Sequence, residues 1–148
     1  MNKFPRFVSF VAVGLGCFDI IRGLVHTVFI GNMGAEIAGL YLGGPTGLDQ
    51  LTLMVAFGSS NFITGTALIF LGLTNRLGAM ILMAVVPLSL LLAGVGLRRW
   101  GADLVGQAEF PGVDTMRIYI GVCVLTVTAA LITRWIRQRG PGPSRSES

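Results

Sequence analysis

Residues 51–97 read LTLMVAFGSSNFITGTALIFLGLTNRLGAMILMAVVPLSLLLAGVGL. One charged side chain, Arg76, interrupts the stretch. It divides into two apolar runs, 51–73 and 78–97, with Thr74-Asn75-Arg76 in the connection. Crossing a bilayer as a helix takes about 20 predominantly apolar residues, and both runs are long enough. A connection this short predicts an antiparallel helical hairpin. A transmembrane β-barrel would show segments of about ten residues in strict alternation. These runs are apolar on every side, so the barrel is rejected.

Outward from the hairpin the pattern repeats once on each side. Residues 7–30 form an apolar run before it and residues 116–135 another after it. The intervening segments carry turn and loop signals: many glycines and Gly43-Gly44-Pro45 in 31–49, and Arg98, Arg99, Asp103, Glu109, Pro111 and Asp114 in 98–115. The fold class expected is therefore all-α, an integral membrane four-helix bundle over residues 1–139. The Gly-, Pro- and Ser-rich segment 140–148 is expected to be a disordered cytoplasmic tail. Composition agrees, with 53% hydrophobic and only 12% charged residues. A soluble domain carries about 25% charge. That balance argues against soluble enzymes, and against nucleic-acid partners despite a pI near 9.8. No basic segment is interleaved with the aromatic platforms that single-strand binding needs.

Lys3 and Arg6 precede the first run, Arg76 lies in the short connection, and Arg134, Arg137, Arg139 and Arg145 follow or end the fourth. With four crossings these regions share one side. The positive-inside rule then places both termini in the cytoplasm, in a bacterial inner membrane, with 31–49 and 98–115 on the outer side. The start of the chain has the basic and apolar regions of a signal peptide. The apolar run continues past Cys17 to Ile30, however, and a retained span is expected. Cys17 and Cys123 fall inside predicted spans and form no C-x-x-C pair, so both read as small hydrophobes. A single His and no clustered Cys exclude the usual zinc sets, and no metal site is expected.

Ionisable groups inside a bilayer cost about 2.5–3.5 kcal/mol each on insertion scales. Three of them, Asp19, Arg22 and His26, fall in the first run at spacings of three and four, on one helical face close to Gly16 and Gly23. Asp19 and Arg22 are expected to pair directly. The group reads either as a packing device, an ion pair capped by His26, or as a polar pocket opening to the outer side. The second run offers Ser59, Ser60, Asn61, Thr64 and Thr66. Its Ala56–Ser60–Thr64 row is expected to let another helix approach closely. Asn61 and Thr64 are assigned to the candidate pocket with Asp19, Arg22 and His26, or else to interhelical hydrogen bonding alone. Pro87 is expected to kink the third helix. Arg117 is expected at the outer rim, snorkelling or pairing with an acid such as Asp114.

Phe18-Asp19-Ile20-Ile21-Arg22-Gly23-Leu24, with Gly72 and Gly78 around the hairpin, resembles the DoxX-like group of small bacterial membrane proteins. The resemblance implies a four-helix bundle, in some members a subunit of a quinone-linked oxidoreductase. No catalytic residue carries over, and Leu24-Val25-His26-Thr27 departs from the group's polar pattern at the end of the first helix. Three function classes stand open. The chain is a subunit or accessory factor of a membrane complex, with a protein partner or as a homo-oligomer. Alternatively it is an intramembrane enzyme or a lipid- or quinone-binding protein working through the Asp/Arg/His group. The third class is an oligomeric transporter or channel. Membrane lipids are partners in all three.

Overall fold

The computed structural model describes residues 4–31, 36, 40, 43–100 and 112–139. The expected disordered tail at 140–148 and most of the two long loops lie outside the described residues. The chain is all-α there, with four helices: α1 (Phe7–Thr27), α2 (Gly47–Thr74), α3 (Arg76–Trp100) and α4 (Gly112–Arg139). All four are long and apolar enough to cross a membrane. At about 1.5 Å per residue α1 is ~32 Å long, and α2 and α4 are ~42 Å. The hydrocarbon core is ~30 Å thick, so α2 and α4 exceed it. This is why the helices outrun the apolar runs read from sequence. A helix does not stop where hydrophobicity does. Asp49 and Asp114 occupy the first turns of α2 and α4, and Arg137 and Arg139 the last turn of α4, as the helix dipole favours. Only α1 ends early, at Thr27 rather than at residue 30, where the Val28 and Phe29 amides both donate to the Leu24 carbonyl.

Asn75 alone separates α2 from α3. Its extended backbone (φ −144°, ψ 92°) breaks the helix, and its amide still donates to the Leu71 carbonyl. Its side-chain oxygen accepts from the Gly78 amide at 3.2 Å, an N-cap for α3. Arg76 then reaches back to α1, donating to Ser9 Oγ and to the Phe4 carbonyl, each at 3.1 Å. The Phe4 ring lies 4.9 Å under the guanidinium of Arg134. One end of the bundle is thereby tied together by residues of α1's approach, α3 and α4.

α1 is the central helix and packs on all three others, most closely on α2. Their contact follows glycines at seven-residue spacing. A side chain built at Gly58 would meet the Gly23 carbonyl, one at Gly65 the Gly16 carbonyl, and one at Gly72 the Ser9 carbonyl. Each pair of residue numbers sums to 81, the signature of an antiparallel register held over two heptads. The distance is shortest at Gly16 and Gly65, where an added Cβ would lie 2.6 Å from the opposing carbonyl oxygen. The row expected to make this contact, Ala56–Ser60–Thr64, does not: Ala56 and Ser60 are exposed and Thr64 is half-buried. Only glycine lets backbone meet backbone; a hydroxyl side chain would hold the helices apart. α3 runs unbroken through the buried Pro87, which removes the hydrogen-bond rung to the Met83 carbonyl.

The bundle divides along its length. Phe4, Val8, Ala12, Leu68, Ala79, Met80 and Met83 form an apolar core near the α2–α3 junction. Toward the other end the interior turns polar, with Asp19, Asn61 and His26 buried. The outside is the reverse of a soluble protein's, since Phe10, Ile21, Leu53, Ile63, Phe70, Leu91 and Leu125 are all more than half exposed.

Candidate functional site

Asp19 and His26 lie on the same buried stripe of α1 as Gly16 and Gly23. The stripe arises from three- and four-residue spacing, and its glycines bring α2 close enough to seal it. Asp19 is 2% exposed. Its Oδ2 accepts a hydrogen bond at 2.8 Å from the hydroxyl of Tyr119 on α4, itself 4% exposed. The expected Asp19–Arg22 ion pair is not formed. Three residues along a helix bring the two onto one face, but α4 presents a hydroxyl to the carboxylate and leaves the guanidinium to turn toward α2.

Arg22 is instead solvated by neutral groups. It donates from one terminal nitrogen to Asn61 Oδ1 at 2.7 Å and from the other to Met116 Sδ at 2.6 Å. Its guanidinium carbon lies 5.0 Å from the ring centroid of Phe57, with Phe18 and Tyr119 at 6.0 and 5.9 Å. Such ring faces attract a cation, more strongly when it is desolvated. Two donors remain over. Arg22 Nε and Asn61 Nδ2 are buried without a hydrogen-bond partner. The amide orientation of Asn61 is dictated, because a guanidinium only donates and Oδ1 must therefore face it. The NH2 of Asn61 is left aimed elsewhere.

Both orphan donors belong to residues lining a cavity of about 120 Å³ between the helices. Asp19 and Arg22 of α1, Asn61 and Thr64 of α2, and Met116 and Tyr119 of α4 supply its inner wall. Phe57 and Ser60 of α2 and Val86, Ser89 and Leu90 of α3 complete it. Of the five residues assigned to a pocket from sequence, four come together here. His26 does not line the cavity. Its Nδ1 donates to the Arg22 carbonyl at 2.8 Å, and its ring meets Phe57 edge-on at 5.4 Å between centroids. It is 8% exposed and packs beside Gly58, where an added Cβ would lie 3.0 Å from the His26 Cβ.

Sequence reasoning missed Tyr119, Met116 and Phe57. Tyr119 carried a signal, since Tyr119, Cys123, Thr126 and Ala130 repeat at four- and three-residue spacing and form α4's buried stripe. Met116 and Phe57 carried none, because sulfur and aromatic side chains are ordinary in an apolar run. Ser89 of α3 stands at the rim of the cavity. Arg117 pairs with Asp114 at 2.8 Å on the exposed surface of α4, one of the options at the rim. No family model, curated protein or solved structure matches the chain.

Proposed function

We propose that the chain is an integral membrane protein whose bundle binds the acceptor-bearing head of a small molecule in the cavity between Asp19, Arg22, Asn61, Thr64 and Tyr119, a lipid or a quinone being the ligand class. The observation that carries this reading is the pair of orphan donors. Leaving a buried donor unpaired costs about 1–3 kcal/mol, and more for a charged group. Both sit on residues that line one cavity, so an acceptor taken up beside them would satisfy both. The space is small: at about 30 Å³ per water it holds roughly four waters. Pockets that enclose whole drug-sized ligands run from about 300 to 1,000 Å³. Only the head of a larger molecule fits, and the rest must lie outside.

Insertion in a membrane is supported by the inverted surface. Soluble monomers rarely show contiguous apolar patches beyond a few hundred Å². Here large apolar side chains face outward on all four helices, and exposed hydroxyls close onto their own helix. Thr52, Ser59, Thr74 and Thr133 each donate to the carbonyl four residues earlier at 2.7–2.9 Å. In hydrocarbon, where no water can take it, such a donor needs a partner inside the protein. The DoxX-like resemblance rests on residues 18–24, the segment that supplies Asp19 and Arg22. A role as subunit or accessory factor of a larger complex is compatible with this reading, because the site is internal and leaves the outer faces for a partner or lipid.

Native mass spectrometry of protein released directly from membranes tests the binding role. A small-molecule adduct on the wild-type chain that is lost in Asn61→Leu is the expected result. Bare protein in both cases argues for a water-filled, purely structural network.

A further inference from the structure

The cavity's exposed lining residues belong to α2 and α3. Ser60 and Ser89 are exposed, as is Phe57, whereas the lining residues of α1 and α4 are buried or half-buried. The opening is therefore lateral, in the gap between α2 and α3. Its height follows from the hairpin. Ser60 lies 15 residues before Asn75 and Ser89 lies 14 after it, so the two sit level on antiparallel helices. At about 1.5 Å per residue they are ~22 Å from the junction. With a hydrocarbon core of ~30 Å, a junction at one interface puts the two serines inside the core, roughly 8 Å short of the other interface.

Two apolar features flank the cavity along the bundle axis. Phe57, one turn farther from the junction than Ser60 and Asn61, packs against both the guanidinium of Arg22 and the ring of His26. An aromatic pair thus stands between the cavity and the far end of α1. Toward the junction the interior is the apolar core of Leu68, Ala79 and Met83. The serine hydroxyls themselves are satisfied, donating to the Phe57 and Val86 carbonyls at 2.7 and 2.8 Å. They line the mouth without needing a ligand, and the orphan donors lie deeper.

Resting on the binding role proposed above, we propose that the site is loaded sideways from the hydrocarbon through a mouth between Ser60 and Ser89, and that its ligand is an uncharged, membrane-dissolved molecule whose carbonyl-type oxygen accepts from Arg22 Nε–H and Asn61 Nδ2–H. The head is uncharged for two reasons. A molecule that reaches the mouth must first dissolve in hydrocarbon, where a formal charge is disfavoured. The cavity wall also holds one carboxyl group and one guanidinium, and an added anion would lie beside Asp19.

The test uses the full chain in phosphatidylcholine nanodiscs with three probes: methyl palmitate labelled with ¹³C at its carbonyl, palmitate, and hexadecane. Binding of the labelled ester is read from the shift of its carbonyl infrared band to lower wavenumber, the mark of an accepted hydrogen bond. The ester is expected to bind and compete better than palmitate or hexadecane, and Asn61→Ala is expected to abolish the shift. Ser60→Phe combined with Ser89→Phe, at two exposed positions, should slow the approach to binding at least tenfold. Thr66→Phe, exposed on α2 and away from the cavity, should leave the rate unchanged and control for folding and insertion. No shift with the wild-type chain overturns the binding role itself. A shift that depends on Asn61 but develops at the wild-type rate in the double variant overturns lateral loading and leaves the site standing. Tighter binding of palmitate overturns the uncharged head.

Discussion

Among the described residues Tyr119 is the one group that donates a hydrogen bond to Asp19, and this decides how the polar interior holds together. A carboxyl group 2% exposed between apolar helices needs a donor. On sequence spacing Arg22 was the natural choice, three residues away on the same face. That reading recognised which residues are buried and missed which of them bond. The partner comes from a helix 100 residues later, and spacing within one helix carries no information about what a distant helix presents. Tyr119→Phe should therefore cost about 1–3 kcal/mol, because it strands the carboxyl and leaves its shape intact. The same change should cost little in an Asp19→Leu background, where nothing remains to be satisfied. A double-mutant cycle read from unfolding in mixed micelles measures the coupling. Equal losses in both backgrounds would show that the hydroxyl stabilises the bundle by some contact other than Asp19.

At the scale of the elements, stability rests on how near α1 and α2 can approach. An added Cβ at Gly65 would lie 2.6 Å from the Gly16 carbonyl and 2.9 Å from the Ile20 side chain, while one at Gly14 would meet nothing within 4 Å. Overpacking a tight contact costs about 1–3 kcal/mol. Alanine in place of an open helical glycine gains roughly 0.5–1 kcal/mol. Gly65→Ala should lower the thermal midpoint in detergent and Gly14→Ala should hold or raise it; matching shifts would mean that the glycine seam is not what sets the helix spacing. Four helices, their order and the hairpin at Asn75 were legible in the sequence, because length and apolar character alone decide which segments can span. The seam was not read, although Gly58, Gly65 and Gly72 recur every seven residues in plain view. Glycine, serine and alanine all count as small residues. Only the opposing register, which pairs Gly16 with Gly65 and Gly23 with Gly58, distinguishes the row in contact from the row facing out.

Across the whole molecule, up-down-up-down packing gathers the start of α1, the α2–α3 junction and the end of α4 at one pole. Arg6, Arg76, Arg134, Arg137 and Arg139 cluster there. Arg98, Arg99 and Arg117 lie toward the other, and Arg117 is paired with Asp114. Folding reinforces the asymmetry, since Arg76 is held by Ser9 and the Phe4 carbonyl and Arg134 stacks over the Phe4 ring. These two cations are fixed at the pole where the positive-inside rule counts them. That pole is therefore expected in the cytoplasm, which puts the mouth at Ser60 and Ser89 in the outer leaflet. Single cysteines in a chain carrying Cys17→Ala and Cys123→Ala test the assignment. Asp103→Cys, between α3 and α4 in sequence, should react with an impermeant maleimide in intact cells. Arg145→Cys, beyond α4, should react only after the membrane is opened. The reverse pattern would turn the molecule over and place the same mouth in the cytoplasmic leaflet. The lateral mouth proposed above would keep its place among the helices under that reversal, and only the leaflet facing it would change.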